Sequence, residues 1–249
     1  VRFMAETAKI LNPTKTVIDP NPNGGCSLAD GVTKKDVLEL RKKYPDHTFV
    51  CYINTTAEVK AACDISVTSS NVYKIIEILP NDKIVFLPDR LMGENVKEHN
   101  RVNGIEKEIV IYDGTCYVHE EFSEEEVDFI RDRFSDVKIL AHPECPPNVV
   151  QKADFVGSTS KMHQYIKEHA DAKHPFMMLT ECGLTSRLQV EHPKVEFVGS
   201  CMLCRYMKSN SLEQLLQAMK APKKEQIVEI EESTRLQALK TVEKMLELS

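Results

Sequence analysis

Eight cysteines in 249 residues are more than an ordinary enzyme of a reducing compartment uses by chance, and they are too dispersed for a small disulfide framework. Three of them recur at a near-constant interval. Cys116 lies 90 residues after Cys26, and Cys204 lies 88 residues after Cys116. Thiolates related by an approximate three-fold repeat can converge on one point, and three of them suit a [4Fe-4S] cluster whose fourth iron stays open as a Lewis acid. The competing reading is that buried cysteine is a small hydrophobe, which fits Cys51 and Cys63 in or beside apolar runs. Cys201-Met202-Leu203-Cys204 is also a CxxC, open to three readings. It could be a redox dithiol after the strand-like run 195–198, half of a zinc site lacking a nearby Cys/His pair, or a cluster ligand (Cys204) beside a spare thiol. Cys145 and Cys182 carry no assignment.

A second group of reactive side chains falls where strand-like runs end. Tyr52 and Asn54, Ser69, His142 and Glu144, and Ser158 and Thr159 all occupy such positions. In open parallel α/β folds ligands bind beyond the carboxyl ends of strands, and hydroxyls and N–H groups there suit carboxylates and phosphates. Helix capping competes for Ser70 and Ser160. His142-Pro143-Glu144 puts an acid/base pair on one strand end, and His119, three residues after Cys116, is a further candidate. His47, His99, His163, His169, His174 and His192 stand among charged residues and read as solvated surface.

These residues need elements to position them. Strand-like runs at 16–18, 48–53, 65–67, 83–87, 108–112, 137–141, 154–156, 176–179 and 195–198 alternate with helix-like stretches at 34–43, 71–79, 124–134, 161–169, 211–219 and 227–248. That alternation specifies an α/β fold with parallel sheets covered by helices. In the last stretch Ile227, Ile230, Leu236, Leu239, Val242, Met245 and Leu246 form a stripe expected to face the core. An offset of 90 superposes Cys26 on Cys116, Arg41 on Arg131, Asp64 on Asp154, and Tyr52-Ile53-Asn54 on His142-Pro143-Glu144. An offset of 88 lays the segment from Arg2 to Lys9 on that from Arg90 to Lys97. Val1 would then stand late in an earlier repeat, with roughly 60 to 70 residues of it upstream.

Charge and hydropathy exclude some classes. With 32 Lys+Arg against 38 Asp+Glu, a net charge of −6 argues against nucleic-acid binding. No apolar run approaches the ~18 residues of a membrane span, and no basic-then-apolar leader is present, so a cytoplasmic location is the expectation.

Several stretches closely resemble the quinolinate synthase family. They are Cys51-Tyr52-Ile53-Asn54-Thr55-Thr56-Ala57-Glu58-Val59-Lys60-Ala61, Val67-Thr68-Ser69-Ser70-Asn71, Phe86-Leu87-Pro88-Asp89, Cys116-Tyr117-Val118-His119-Glu120-Glu121-Phe122, His142-Pro143-Glu144-Cys145-Pro146-Pro147 and Ala153-Asp154-Phe155-Val156-Gly157-Ser158-Thr159-Ser160. The resemblance implies three similar α/β domains about a pseudo-three-fold axis, with the first truncated. It also implies a [4Fe-4S] cluster on Cys26, Cys116 and Cys204. The implied reaction condenses iminoaspartate with dihydroxyacetone phosphate to quinolinate, losing water and phosphate, on the route to NAD. Aspartate oxidase or aspartate dehydrogenase is the implied functional partner. Tyr52, His142 and Glu144 become the expected catalytic residues, with Asn54, Ser69, His119, Ser158 and Thr159 around the substrate.

Two departures stand out. The family's His-Asn-Tyr motif and a later Ser, which line the same cavity, are not in this sequence. Gly24-Gly25-Cys26-Ser27-Leu28 also differs from the family's commoner wording. The expected division is 1–25 as the remnant of a first domain, 26–114 and 115–201 as a second and third, and 202–249 as helices returning to the first. Two other readings stay open: an iron–sulfur carrier without catalysis, or an inactive shortened form, and a dithiol oxidoreductase on Cys201 and Cys204.

Overall fold

A computed structural model describes residues 1–249. In chain order the first part holds α1 (Arg2–Leu11), α2 (Ser27–Asp30), α3 (Lys34–Lys43), β1 (Thr48–Tyr52), α4 (Ala57–Ala62), β2 (Ile65–Val67), α5 (Val72–Ile78), β3 (Lys83–Leu87), α6 (Arg90–Val102) and β4 (Glu108–Ile111). Then come α7 (Tyr117–Glu120), α8 (Glu124–Arg133), β5 (Lys138–Ala141), α9 (Pro147–Lys152), β6 (Phe155–Val156), α10 (Thr159–Glu168), β7 (Phe176–Leu179), α11 (Cys182–Glu191) and β8 (Phe197–Val198). The chain closes with α12 (Arg205–Lys208), α13 (Leu212–Lys220) and α14 (Glu232–Leu248).

The strands form two all-parallel sheets, ordered β2-β1-β3-β4 and β6-β5-β7-β8. Each is buried on both faces, which is why the strands are continuous apolar runs rather than alternating ones. Phe49 and Cys51 of β1 face one layer with Val85 and Leu87, while Val50 and Tyr52 face the other with Ile65, Val67 and Phe86. In the second sheet Ile139 and Ala141 separate from Leu140 in the same way. Burial of each such large apolar side chain contributes about 1.5–3 kcal/mol.

The 90-residue repeat is visible in hydrogen bonds. Arg41 pairs with Asp64 at 2.7 Å and donates to the Ala62 carbonyl; Arg131 pairs with Asp154 at 3.0 Å and donates to the Lys152 carbonyl. The same two carboxylates accept the N–H of Phe49 and of Ile139. One framework recurs a third time. Arg2, Arg90 and Cys182, first residues of α1, α6 and α11, donate their N–H to the carbonyls of Gly24, Gly114 and Met202. Each acceptor stands two residues before Cys26, Cys116 or Cys204, and each of those cysteines N-caps a four-residue helix. Seven residues further on, Thr33, Ser123 and Ser211 cap α3, α8 and α13 by accepting the N–H of Asp36, Glu126 and Gln214.

The α14 helix packs on α4 and β2, joined by Ser66 and Thr241 hydroxyls 3.0 Å apart, and α1 lies against both helices. Several expectations are corrected. Residues 16–18 form no strand of a parallel sheet; Ile18 makes one antiparallel bridge to Ile227, between Pro13 and Pro20. That pairing keeps Ile227 and Ile230 out of the last helix, which starts at Glu232 under a Glu231 cap. Its buried face is Arg235, Ala238, Thr241, Val242 and Met245, while Leu236 and Leu246 point outward, because Arg235 turns inward to the Ile10 carbonyl. His47 is buried between the Tyr44 ring and Asp46, and His99, His163, His169, His174 and His192 are half-buried rather than solvated. The helices α2, α4, α6, α7, α9, α11 and α12 add to the expected set; α2, α7 and α12, of four residues, and α4 and α9, of six, are too short to show a period. No helix is long and apolar enough to cross a membrane.

Candidate active site

The carboxyl ends of β1 and β5 meet, and there the catalytic candidates assemble. Tyr52, the last residue of β1, donates its phenol to Glu144 Oε1 at 2.7 Å. His119, in α7, places Nδ1 3.0 Å from Glu144 Oε2 and 3.2 Å from Cys116 Sγ. Its ring stacks on His142 at 4.7 Å between centroids. His142 Nδ1 is 3.6 Å from Glu144 Oε1 and accepts the Glu144 backbone N–H. All four residues are buried, Glu144 at 3% exposure. The site is therefore dry and pre-bonded, the condition under which polar groups interact most strongly.

Burial works to raise the Glu144 carboxyl, but the adjacent imidazoles and the Tyr52 phenol outweigh it and hold it below the usual carboxylate range. Burial lowers His142 to about 4 in spite of Glu144, so this imidazole is neutral at neutral pH. Burial, then the Glu144 charge, pushes the Tyr52 phenol well up, so it remains a donor. An ionised carboxylate only accepts, so His119 Nδ1 is the donor to Glu144, and His119 Nε2 lies 3.1 Å from the Thr180 hydroxyl. The cluster can thus pass a proton between a base (Glu144) and two imidazoles.

Not every candidate joins it. The Ser69 hydroxyl lies beside the Tyr52 phenol. Ser158 is buried, caps α10 through the Lys161 N–H and accepts from Ser70 Oγ at 2.8 Å, a bond between the two sheet units. Thr159 is exposed, and Asn54 is half-buried with no side-chain hydrogen bond. The sequence reading missed Thr180, whose hydroxyl holds His119, and Asp89, fully buried at the end of β3 with one carboxylate oxygen unpartnered. The strand-end position of both was the available signal. Burial, then the Glu144 charge, raises the Asp89 carboxyl well above its ordinary value.

Cys26, Cys116 and Cys204 are free, half-buried thiols. Cys26 Sγ receives the N–H groups of Ala29 and Leu28, and Cys116 Sγ those of His119 and Val118, the same two positions of the following helix. Burial pushes Cys26 up to about 11 and also raises Cys116. Gly25 leaves room beside Cys26 for the Asp30 carboxylate that accepts the Cys26 N–H; a Cβ there would push that carboxylate aside. The three cysteine loops are tied to one another. Ser27 Oγ donates to the Thr115 carbonyl at 3.0 Å, Arg205 N–H to the Tyr117 phenol at 2.6 Å, and Asn21 Nδ2 to Ser209 Oγ at 2.7 Å. Three accessible thiols on mutually bonded loops, two of them already facing N–H donors, are a donor set that fits a thiolate-held cluster. Cys201 is no spare thiol: it forms a disulfide with Cys182, so the CxxC is not a dithiol. Cys51, Cys63 and Cys145 are buried.

The profile of the Quinolinate synthetase A protein family matches residues 1–247. The chain belongs to the quinolinate synthase family. Similar proteins include the quinolinate synthases of Xylella fastidiosa (strain 9a5c), 42% identical over 99% of this chain and 70% of that protein, and of Aquifex aeolicus (strain VF5), 43% identical over 100% and 77%. That of Agrobacterium fabrum (strain C58 / ATCC 33970) is 41% identical over 100% and 69%. Quinolinate synthases are enzymes of NAD biosynthesis, and the family resemblance of the strand-end motifs is thereby established for the whole chain.

Proposed function

We propose that this chain condenses iminoaspartate with dihydroxyacetone phosphate to form quinolinate, two waters and inorganic phosphate. The observation that carries this reading is the buried cluster of Tyr52, Glu144, His119 and His142 beside the thiol of Cys116. Glu144 is the base, held ionised and aimed by Tyr52 and His119, and takes a proton from substrate carbon during isomerisation and ring closure. His119 and His142 return protons to departing hydroxyl groups. Ser69, Ser158, Thr159 and Asn54 line the approach and hold carboxylate and phosphate oxygens through hydroxyl and amide groups. Cys26, Cys116 and Cys204 would hold a [4Fe-4S] cluster, which when bound supplies a Lewis acid for the dehydrations. Residues 1–25, 26–114, 115–201 and 202–249 serve as a first-domain remnant, two α/β domains and returning helices. An enzyme that oxidises aspartate, an oxidase or a dehydrogenase, supplies the imine.

Anaerobic reconstitution followed by chromatographic measurement of quinolinate tests this. Product that disappears with Glu144→Gln supports the reading; product formation indifferent to that change removes it. Serine at Cys26, Cys116 or Cys204 is expected to abolish the visible absorption of the cluster, and serine at Cys145 to leave it.

One observation favours a second reading of the metal chemistry. Cys116, His119 and Glu144 offer three donor atoms within 4.8 Å of one another, enough for a single ion without catalysis by a cluster. Binding that survives Cys26→Ser and Cys204→Ser but not His119→Ala would select it.

A further inference from the structure

The turns that carry the site residues are held in an unusual and matching way. After β1, Lys60 Nζ donates to the Ile53 carbonyl at 2.8 Å and to the Thr55 carbonyl, the two that flank Asn54. After β5, Asn95 Nδ2 donates to the Pro143 carbonyl at 2.9 Å and to the Cys145 carbonyl at 2.8 Å, the two that flank Glu144. Residues 53 and 55 correspond to 143 and 145 at the repeat offset of 90. One side-chain nitrogen therefore spans the same pair of carbonyls in both turns, yet it comes from different places. Lys60 rises from α4, in its own unit; Asn95 reaches over from α6, in the other unit.

Both nitrogens sit where a polar group is costly. Lys60 has no exposed surface and no carboxylate within ion-pair distance, with the Phe3 ring 5.9 Å from Nζ. Asn95 is 5% exposed. A buried donor is retained only where its bonds are satisfied, and here each nitrogen spends them on one turn. An apolar side chain of similar size would fill either position without that desolvation cost, so packing alone does not explain them.

We propose that Lys60 and Asn95 are paired positioning residues that fix the Tyr52–Asn54 and His142–Glu144 turns in the geometry the reaction needs. This rests on the site reading above and deepens it: neither residue touches substrate, and each acts through the carbonyls on either side of a site residue. Misplacement by about 1 Å costs up to about a hundredfold in rate.

The test uses the full chain, reconstituted, with Lys60→Met and Asn95→Leu, which keep volume and remove the donors. A core variant at Ile75, valine or alanine, is chosen to match their loss of melting temperature. Amide hydrogen exchange and steady-state kinetics are read on all. The expected result is faster exchange at the Cys145 amide in Asn95→Leu and at the Thr55 amide in Lys60→Met, each about tenfold above the matched control. With it, kcat falls about tenfold or more and KM changes less. Exchange equal to the control, or an unchanged kcat in a variant whose turn has loosened, overturns the proposal. If the unsubstituted protein makes no quinolinate, the parent reading has failed, and the exchange pattern alone then decides whether the nitrogens hold these turns.

Discussion

The turn after β1 and the turn after β5 share their place at a strand end and a nitrogen across their outer carbonyls. Their cargo differs. The first presents Tyr52 and Asn54, groups that hold a fixed charge state; the second presents His142 and Glu144, an imidazole and a carboxyl, which on the proposed reading exchange protons. The electrostatics follow the same division. Burial and the Glu144 charge keep Tyr52 a donor, and Tyr52 in turn helps keep Glu144 ionised. A duplicated scaffold has thus placed the orienting partner on one copy and the titrating partner on the other, and the bond between them crosses the seam.

The strongest way to break this comparison is to remove the titrating member. Glu144→Gln keeps shape and loses the base, and the expected fall in quinolinate formation is about 10²–10⁴-fold, whereas Asn54→Ser costs about tenfold. Equal losses from the two changes would mean that the turns do not divide the work. A smaller effect is expected for the phenol: Tyr52→Phe removes one hydrogen bond to a charged group, about 1.5–3 kcal/mol, and raises the pH at which activity is lost in acid. A pH–rate profile identical to that of the parent would detach Tyr52 from Glu144.

Stability sharpens the contrast at both ends of the pH scale. Burial pushes Lys60 down to about 8, partly countered by the charges of Cys51, Glu6 and Cys63. The unfolded chain then binds the proton that the folded one has released, so stability should rise between about pH 8 and 10.5, by at most about 3 kcal/mol. Denaturant titrations of Lys60→Met should lack that rise; since a neutral amine still donates twice, the turn itself survives the deprotonation. In the second unit the pattern inverts. Burial works to raise Asp154, but the Ile139 N–H, Lys138 and Arg131 hold it below its ordinary value. Its contribution is present above the unfolded carboxylate pKa and fades as pH falls through the folded one. Asp154→Asn should flatten the acid limb of the melting-temperature profile by less than about 1 kcal/mol, given partial solvent exposure. A limb of unchanged slope would assign acid sensitivity elsewhere.

Much of this was legible in residue order. Arg41, Arg131, Asp64 and Asp154 matched at one offset, and they match because the pairs bond each other across the same strand–helix joint. Cys26, Cys116 and Cys204 stood out by spacing, and the local framework around each is indeed the same. His142, Glu144 and Tyr52 were found because strand ends are readable. Asn95 was not singled out because its bonds reach 48 and 50 residues along the chain, and Lys60 because a lysine on a short helix reads as surface; Thr180 and Asp89 stood at strand ends and were passed over. Nor was the Cys182–Cys201 pair, which the nearer CxxC spacing obscured. The stripe on α14 misled for the same reason: Arg235 buries itself to reach the Ile10 carbonyl, and that turns Leu236 outward.

Asn95 belongs to a helix of one unit while the turn it holds belongs to the other. If Asn95 positions that turn as proposed, the Glu144 turn reaches its working shape only once α6 of the first unit has docked on it. A half-folded chain carries the carboxylate but not its alignment. On the proposed reading, chemistry would be withheld from incomplete molecules, and local melting of the first unit would switch off a base housed in the second.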